Sequence, residues 1–200
     1  MEQFETINKL INSLRKLPGV GVKSAERMAY QILDMKKESL NEIIEAFNSV
    51  SNISLCPICG SYMEHDICPF CNDLQRDNDT LIVVSYFKDA LAIEKLKKYH
   101  GLYHILNGSL NPAKGIGVND INIESLTKRL SSQEIKEIIL ATDPTIEGET
   151  TALFLSKLLS NYPVIISRLA YGLPMGGQLD YCDDLTLTKA IEGRNILRRD

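Results

Sequence analysis

Two pairs of cysteines in the middle of the chain have the spacing of metal ligands. The segments CPICG and CPFCN each contain a C-x-x-C pair, and eight residues separate the two pairs. Each pair places two thiolates around one point, and two pairs complete the tetrahedral four-sulfur set that Zn²⁺ accepts. Because such a set leaves no open coordination position, the ion would be structural rather than catalytic. The predicted ligands of this one Zn²⁺ are Cys56, Cys59, Cys68 and Cys71.

Other states of these cysteines remain open from the sequence. The four could form disulfides or remain free thiols, although a chain without signs of secretion favours metal binding. His65 lies between the pairs and could replace a cysteine, but with four thiolates available we expect it at the surface. Cys182 stands alone and is predicted to be a partly buried apolar residue. A segment of about twenty residues cannot bury a core of its own, so metal would supply its folding energy.

A second candidate site is the segment LPGVGVKSAERMAY (Leu17–Tyr30), which looks at first like a phosphate-binding P-loop. A P-loop is G-x-x-x-x-G-K-[ST] and follows a buried strand, whereas a helical pattern precedes this segment and its glycines are two residues apart. The order helix, L-P-G-V-G, helix predicts a helix–hairpin–helix. Gly19 and Gly21 would expose backbone amides at a helix N-terminus, which favours an anionic oxygen.

Two cations follow the hairpin on one helix face. Lys23 and Arg27 are four residues apart and would neutralise further phosphates of a nucleic acid. Residues 1–37 carry seven basic and four acidic side chains, a net charge of +3, while the whole chain has a net charge of −4. The predicted DNA-binding residues are therefore Gly19, Gly21, Lys23 and Arg27. The alternative is an ordinary turn between two helices with solvated basic residues.

A third group of reactive side chains lies in ATDPTIEGETTA, where a predicted strand ends and a helix begins. Asp143, Glu147 and Glu149 gather there, and the arrangement resembles the Toprim domain of type IA topoisomerases and bacterial primases. That resemblance implies a Mg²⁺ site made by a D-x-D pair and a glutamate after the first strand. Here the D-x-D position carries Thr145, and the first strand ends in Ser85 and Tyr86.

Two of the three carboxylates that the Toprim resemblance implies are thus replaced. We expect no catalytic residues, and we interpret the remaining acids as first-turn residues that favour the dipole of the helix. The enzyme alternative is a Mg²⁺-dependent Toprim nuclease or a primase-like phosphotransferase. A further alternative is an adaptor that binds only proteins.

The elements that would position these groups are a helical unit and a following α/β unit. Three helices are predicted within residues 1–50 from apolar residues at three- and four-residue spacing, and Ser39 with Glu42 forms a capping box that would open the third. The predicted inward residues are Phe4, Ile7, Leu10, Ile11 and Leu14 of the first helix, Ala25, Met28, Ala29 and Ile32 of the second, and Ile43, Ile44 and Phe47 of the third.

Strand and helix patterns alternate after residue 76, which predicts βαβ units and a parallel sheet. Between them a segment rich in Gly, Pro and Asn, Asn107–Asp120, is predicted to be a long loop. The predicted strands lie in Thr80–Tyr86, Ile135–Asp143 and Tyr162–Ala170, and the predicted helices in KDALAIEKLKKY, EGETTALFLSKLL and TLTKAIEGRNILRRD.

Taken together, these motifs in this order resemble the RecR family of recombination mediators over nearly the full chain. One departure is that RecR chains usually carry acidic residues where Ser85 and Tyr86 stand here. The segments that carry the resemblance are LPGVGVKSAERMA, CPICG with CPFC, DALAIE, Tyr99–Gly117, ATDPTIEGETTA and SRLAYGLPMGGQLDY (Ser167–Tyr181).

The resemblance implies a multi-module fold of mixed α+β and α/β type. Its expected parts are a helix–hairpin–helix DNA-binding domain (1–53), a four-cysteine zinc finger (54–76), a Toprim domain (77–172) and a C-terminal helical oligomerisation segment (173–200). It also implies a non-catalytic protein that acts with RecO, and in some settings RecF. Together they place RecA on single-stranded DNA coated by single-strand-binding protein.

The same resemblance implies dimers and ring-shaped tetramers that encircle single- or double-stranded DNA, with Lys23 and Arg27 towards the ring interior. Several segments of charge +3 would then converge on one hole inside an acidic exterior. The chain has 200 residues, 44% of them hydrophobic, and no apolar run long enough to span a membrane. Its N-terminus lacks the apolar region of a signal peptide, so we expect a cytoplasmic protein.

Overall fold

The computed structural model describes residues 4–170, 172–173 and 176–194. The chain divides into two compact units, Met1–Ile53 and Ser54–Asp200. Within the described part of the chain, no helix combines the length and the apolar character needed to cross a bilayer. The helices are α1 Glu5–Leu14, α2 Val22–Leu33, α3 Lys37–Val50, α4 Phe87–Glu94, α5 Glu124–Ser132, α6 Ile146–Leu159 and α7 Asp184–Glu192. The strands are β1 Ile53–Leu55, β2 Tyr62–Glu64, β3 Asp77–Val84, β4 Gly101–Ile105, β5 Glu137–Ala141 and β6 Ile165–Arg168.

The first unit consists of the three predicted helices, with α1 packed against α2. Ala25 and Ala29 of α2 are fully buried, as predicted, because their small side chains let another helix approach closely. The predicted inward positions of α1 are half-buried, except that Phe4 lies before the helix and is 62% exposed. The apolar residues predicted to face inward on α3 are exposed in this unit, Phe47 to 64%.

The predicted capping box at the start of α3 is wrong. The helix begins at Lys37, and its N-cap, Lys36, makes no side-chain capping hydrogen bond. Ser39 therefore lies inside the first turn. Only Asp34, Met35 and Lys36 connect α2 with α3, and the chain is already helical at Lys37. Ser39 therefore has helical backbone geometry and cannot be the N-cap.

The second unit is built on a four-stranded parallel sheet with the order β4-β3-β5-β6. Successive side chains of a strand point to opposite faces, and the residues of β3 enter two different hydrophobic clusters accordingly. Leu81 and Val83 pack with the α6 residue Leu155 on one face. Ile82 and Val84 pack on the other face with the cysteine segment and with Tyr103 of β4. The cysteine segment thus shares its core with the sheet.

The three strands predicted in this unit are present, with narrower bounds, and the parallel α/β architecture is confirmed. The helix predicted in KDALAIEKLKKY ends early, at Glu94, and Lys97 takes a positive φ of 52°. The described part of the tail forms α7, which ends at Glu192, while residues 195–200 of the predicted helix lie outside the described residues. Strand β4 and helix α5 were not predicted from the sequence.

The predicted long loop, Asn107–Asp120, carries two short 3-10 turns at Pro112–Lys114 and Val118–Asp120. A β-bridge between Asn111 and Ile116 closes the first turn, and the Asn111 side chain accepts a hydrogen bond from the Lys114 amide at 3.1 Å. The loop is therefore fixed by its own hydrogen bonds where it passes the carboxyl end of the sheet.

Candidate metal centre and nucleic-acid interface

The four predicted cysteines come together at one point. Their sulfur atoms all lie within 4.8 Å of one another, and no disulfide joins them. The Cys59 and Cys68 sulfurs are 3.4 Å apart, and those of Cys56 and Cys71 are 3.9 Å apart. Four sulfurs bound at about 2.3 Å to one ion would lie about 3.8 Å apart, so the set fits a tetrahedral metal ion. His65 does not belong to the cluster and is exposed, as expected.

Tight turns hold each cysteine pair in place. In the first pair, the Gly60 amide donates to the Cys56 carbonyl at 2.9 Å, and the Cys56 amide donates to Ser61 at 2.7 Å. Gly60 has a φ of +75°, in the left-handed region that favours glycine. In the second pair, the Cys71 amide donates to the Cys68 sulfur at 3.4 Å. The hydrogen bond from the Cys71 amide favours the thiolate over the thiol at Cys68, which suits metal ligation.

The first turn is also bonded directly to the sheet. The Ile105 amide of β4 donates to the Cys59 carbonyl at 2.7 Å, and Asn107 Nδ2 donates to the Gly60 carbonyl at 2.9 Å. A Cβ at Gly60 would lie 2.3 Å from the Ile105 carbonyl oxygen, so the turn and the strand are in close contact. The metal ligands are therefore positioned by the α/β sheet as well as by their own turns.

Aromatic side chains complete the contact between the second turn and the sheet. Phe70, between Cys68 and Cys71, packs on Tyr103 with ring centroids 4.6 Å apart. The Arg76 guanidinium lies 5.3 Å from both ring centroids and donates to Glu94 Oε1 at 2.7 Å. These roles could not be predicted from the sequence, because nothing in the local pattern links Phe70 with a strand about thirty residues later.

Burial and mutual hydrogen bonding shift the acidity of the thiols in opposite directions. The pKa of Cys71 falls to about 6, chiefly because the Cys59 thiol hydrogen-bonds to its sulfur. Burial raises the pKa of Cys68. The thiolate of Cys71 is thus favoured without metal, and binding of a divalent cation would favour deprotonation of Cys68. The donor set fits Zn²⁺, which prefers four soft sulfur ligands.

The second predicted site, in the first unit, has the geometry of a helix–hairpin–helix turn. α1 ends at Leu14, the chain turns through Gly19 at φ +80°, and α2 begins after its N-cap Gly21. The N-cap Gly21 makes no side-chain capping hydrogen bond, so the amides of the first turn, which point outward along the axis, have no capping side chain as acceptor. No described atom outside the adjoining residues lies within 4 Å of a Cβ built on either glycine, which leaves the bend open to a ligand.

The two predicted cations lie on the exposed surface of α2. Lys23 and Arg27 are both exposed, and their spacing of four residues puts them on the same face, beginning at the open N-terminus. Neither forms an ion pair within the described part of the chain. The geometry can therefore present unpaired amides and two cations to an anionic backbone.

The third predicted group lies at the carboxyl ends of β3 and β5, where the strand order reverses and α/β sheets commonly bind ligands. Val84 pairs with Ala141, so Ser85 and Thr142 lie side by side just beyond the strands. Ser85 is fully buried and accepts a hydrogen bond from Ser109 Oγ at 3.2 Å. A hydroxyl held inside the protein thus stands where the Toprim resemblance implies a glutamate.

The other polar side chains at this edge have structural partners. Thr145, in the place of the second D-x-D acid, is the N-cap of α6 and accepts from the Gly148 amide at 3.1 Å. Glu147 accepts from Asn111 Nδ2 at 3.0 Å, and Glu149 accepts from Arg168 Nη2 at 2.5 Å. Both glutamates lie in the first turn of α6, where the helix dipole favours them.

The structure adds one carboxylate to this edge that the sequence analysis did not single out. Asp89 Oδ2 accepts a hydrogen bond from the Tyr86 amide at 2.8 Å and so caps α4. Its pKa is raised, first by burial and then by the negative charge of Asp143. Its position three residues after the N-cap was the available signal. Within the described residues, however, the four cysteines alone form a group of three or more ligands close enough to hold a metal ion.

Comparison with protein-family models gives three matches in chain order. A model described as RecR, helix-hairpin-helix matches residues 7–50. A Toprim domain model matches residues 79–170. A model described as RecR, C-terminal matches residues 172–195, of which Pro174, Met175 and Asn195 lie outside the described residues. The cysteine centre lies between the first two matched ranges.

Proposed function

Because the chain belongs to the RecR family, we propose that it is a DNA-binding recombination mediator and not an enzyme. The observation that carries the proposal is the hairpin in the first unit. Its open glycines, uncapped helix N-terminus and two exposed cations fit a phosphate backbone without reading bases. In this proposal Gly19 and Gly21 contact phosphate through backbone amides, and Lys23 and Arg27 neutralise it.

At a finer level, we propose that the protein acts with RecO, and in some settings RecF, to load RecA on DNA coated by single-strand-binding protein. It would do so as a ring of four chains around single- or double-stranded DNA, in the cytoplasm. The proposed modules are residues 1–53 for DNA, 54–76 for metal, 77–172 as Toprim domain and 173–200 for subunit contacts. Family membership supports this assignment.

The cysteine centre, in this proposal, holds one structural Zn²⁺ through Cys56, Cys59, Cys68 and Cys71. The cluster of four sulfurs and its burial against the sheet support a structural role. The bound ion would stabilise the turns of the segment, while the protein supplies the hydrogen bonds that orient the sulfurs.

The proposal excludes Mg²⁺-dependent phosphoryl transfer at the Toprim edge. Its support is that Ser85 and Thr145 stand where acids would be needed and are engaged in internal hydrogen bonds. Cleavage of labelled DNA with Mg²⁺ or Mn²⁺ that disappears in Asp143→Ala would instead favour the enzyme alternative.

The DNA-binding role is tested by the double variant Lys23→Ala/Arg27→Ala. We expect DNA affinity at low salt to fall about tenfold or more, because two phosphate contacts are lost. The slope of log K against log salt should decrease in magnitude by about 1.4 per chain on single strands and about 1.8 on duplex. Fluorescence anisotropy with labelled oligonucleotides over a salt series measures both quantities.

A matched control is Lys36→Ala/Lys37→Ala, which removes the same charge from the same unit. These exposed lysines lie beyond the C-terminal end of α2, about 18 Å along the helix from the hairpin. The control should retain most of the affinity. Equal loss in both variants would mean that net charge, rather than the hairpin, drives binding, and no loss in either would favour a protein-only adaptor.

A further inference from the structure

Arg129 of α5 is a buried cation without a carboxylate partner. The residue is 4% exposed, its Nε donates to Gln133 Oε1 at 2.7 Å, and its Nη1 donates to the Tyr103 carbonyl at 2.7 Å. Both acceptors are uncharged, and Arg129 forms no ion pair with any described residue. A guanidinium keeps its proton even when buried, so its charge calls for an anion nearby.

The residues around Arg129 indicate which negatively charged group lies near its guanidinium. Arg129 lines a small cavity of about 130 Å³ together with Cys71, Asp73 and Arg76. The Asp73 carboxylate already lies 3.4 Å from Arg76 Nε, and Arg76 also pairs with Glu94. Asp73 is thus held by Arg76 and forms no ion pair with Arg129, which leaves Cys71 as the acidic group in the cavity wall that has no other cation partner among the described residues.

With a metal ion bound, the cysteine centre would carry negative charge permanently. Four thiolates around one divalent ion have a net charge of two minus, and in a buried site this charge must be balanced by the protein. We propose that Arg129 is the counter-charge of the cysteine centre, acting across the cavity on Cys71, and that it strengthens metal binding. The inference rests on the proposed metal centre and adds a residue of the Toprim domain to it.

The local structure fixes Arg129 in place for this role. Gln133 and the Tyr103 carbonyl hold two edges of the guanidinium, so its position does not depend on the metal. Tyr103 also packs on Phe70, inside the second cysteine pair. Strand β4 thus orients both Arg129 and the second cysteine turn, whose negative charge Arg129 would balance. Residues outside the ligand set commonly tune a metal site in this way.

The test measures zinc affinity of the full-length protein by competition with a chromophoric chelator. Arg129→Met should weaken zinc binding by roughly 10- to 100-fold, the usual effect of removing an outer partner. The matched control is Lys128→Met, because Lys128 is the adjacent residue and its side chain is 73% exposed. Lys128→Met should leave the affinity unchanged. Unchanged affinity in Arg129→Met would overturn the inference.

Two further measurements separate charge from packing. Arg129→Lys retains the charge and should bind zinc more tightly than Arg129→Gln, which does not; equal weakening in both would refute the charge role. Thermal unfolding provides the second test: Arg129→Met should lower the midpoint of the zinc-loaded protein more than that of the zinc-free protein, whose centre carries less negative charge. An equal decrease in both forms would indicate a purely structural residue and would also refute the inference.

Failure of the metal centre itself has a different signature. Wild-type protein that binds no zinc, with Cys56→Ser behaving identically, would contradict the proposed centre and the inference with it. Wild-type protein that binds one zinc ion per chain, with an affinity that Arg129→Met leaves unaltered, would contradict only the role of Arg129. If Arg129→Met does not fold, the comparison of Arg129→Lys with Arg129→Gln decides.

Discussion

The two candidate sites belong to units that are built in opposite ways. Between residues 4 and 53, full burial is limited to Ala25 and Ala29, and the proposed DNA contacts lie on open backbone at a helix start. In the second unit, the cysteines share a buried cluster with strands β3 and β4, and a Cβ on Gly60 would collide with a neighbouring carbonyl. The first site is an exposed surface, whereas the second is part of a core.

This difference predicts that equivalent substitutions will have opposite consequences in the two units. Changes at the cysteine centre should lower the free energy of unfolding, because the centre and the sheet share buried contacts. Changes at the hairpin that add no backbone strain should lower DNA affinity and leave folding intact, because no packing depends on those atoms.

Cys56→Ser should cause the largest change. With metal a thousandfold above its dissociation constant, binding contributes about 4 kcal/mol, and its loss should lower the unfolding midpoint by about 8–16 °C. Elemental analysis for zinc and thermal unfolding of the full chain measure the two effects. Cys182→Ser is the control, since Cys182 is outside the cluster and should keep both metal and midpoint. A Cys56→Ser protein with an unchanged midpoint would remove the structural role of the centre.

Gly60→Ala should be the next most damaging change. Its φ of +75° is unfavourable for alanine, and the added Cβ would lie 2.3 Å from the Ile105 carbonyl oxygen and 2.5 Å from Asn122 Nδ2. Strain and overpacking together should cost about 3 kcal/mol. Chemical denaturation of wild-type and variant protein gives the difference. Full stability in Gly60→Ala would mean that the turn is not held against β4 as described.

His104 makes the second unit sensitive to acid. Its side chain is fully buried, a ring nitrogen lies 2.7 Å from the Asn122 carbonyl oxygen, and burial lowers its pKa to about 4. Because an unfolded histidine has a pKa of about 6.5, the unfolded state binds the proton more readily below that pH. Stability should therefore fall as the pH falls from about 6.5 towards 4, by about 2 kcal/mol between pH 7.5 and pH 5.

The measurement is the pH dependence of the free energy of unfolding in wild-type and His104→Gln protein. Both proteins carry the same cysteines and carboxylates, so the difference between their pH profiles isolates this histidine. The variant should be less stable near pH 7.5 but lose less stability on acidification. Parallel profiles would show that His104 does not titrate with folding.

The sequence predicted much of the architecture because local patterns decide it. Periodicity located the helices of the first unit, and strand-helix alternation identified the parallel sheet. The strand β4 was missed since GLYHI lacks the alternation of a half-buried strand and is buried along its whole length. The predicted start of α3 was wrong because the capping pattern at Ser39 does not take into account how short the link from α2 is.

The candidate sites were predictable to the extent that their residues are close in sequence. Paired C-x-x-C motifs and the L-P-G-V-G hairpin are short. Spacing alone was therefore enough to identify the cysteines, Lys23 and Arg27 as candidate site residues. Tyr103 and Arg129 could not be recognised, because their relation to the centre is set by folding of β4 and α5 onto residues 33 and 58 positions away. The local sequence does not reveal whether an arginine such as Arg129 is buried or exposed.

The smallest change in stability is expected at Gly21 of the hairpin. Gly21→Ala makes the same change as Gly60→Ala, but φ is −80° and no described atom lies within 4 Å of the new Cβ, apart from the adjoining residues. The free energy of unfolding should stay within about 0.5 kcal/mol of wild type. DNA affinity should fall a few-fold, because a methyl group would obstruct the close approach of phosphate to backbone amides. Gly19→Ala is the contrasting variant, since its φ of +80° adds strain to any loss of contact. Fluorescence anisotropy measures the DNA affinity of both variants, and chemical denaturation measures their free energy of unfolding. A Gly21→Ala protein that is stable and binds DNA as tightly as wild type would mean that phosphate does not reach the bend.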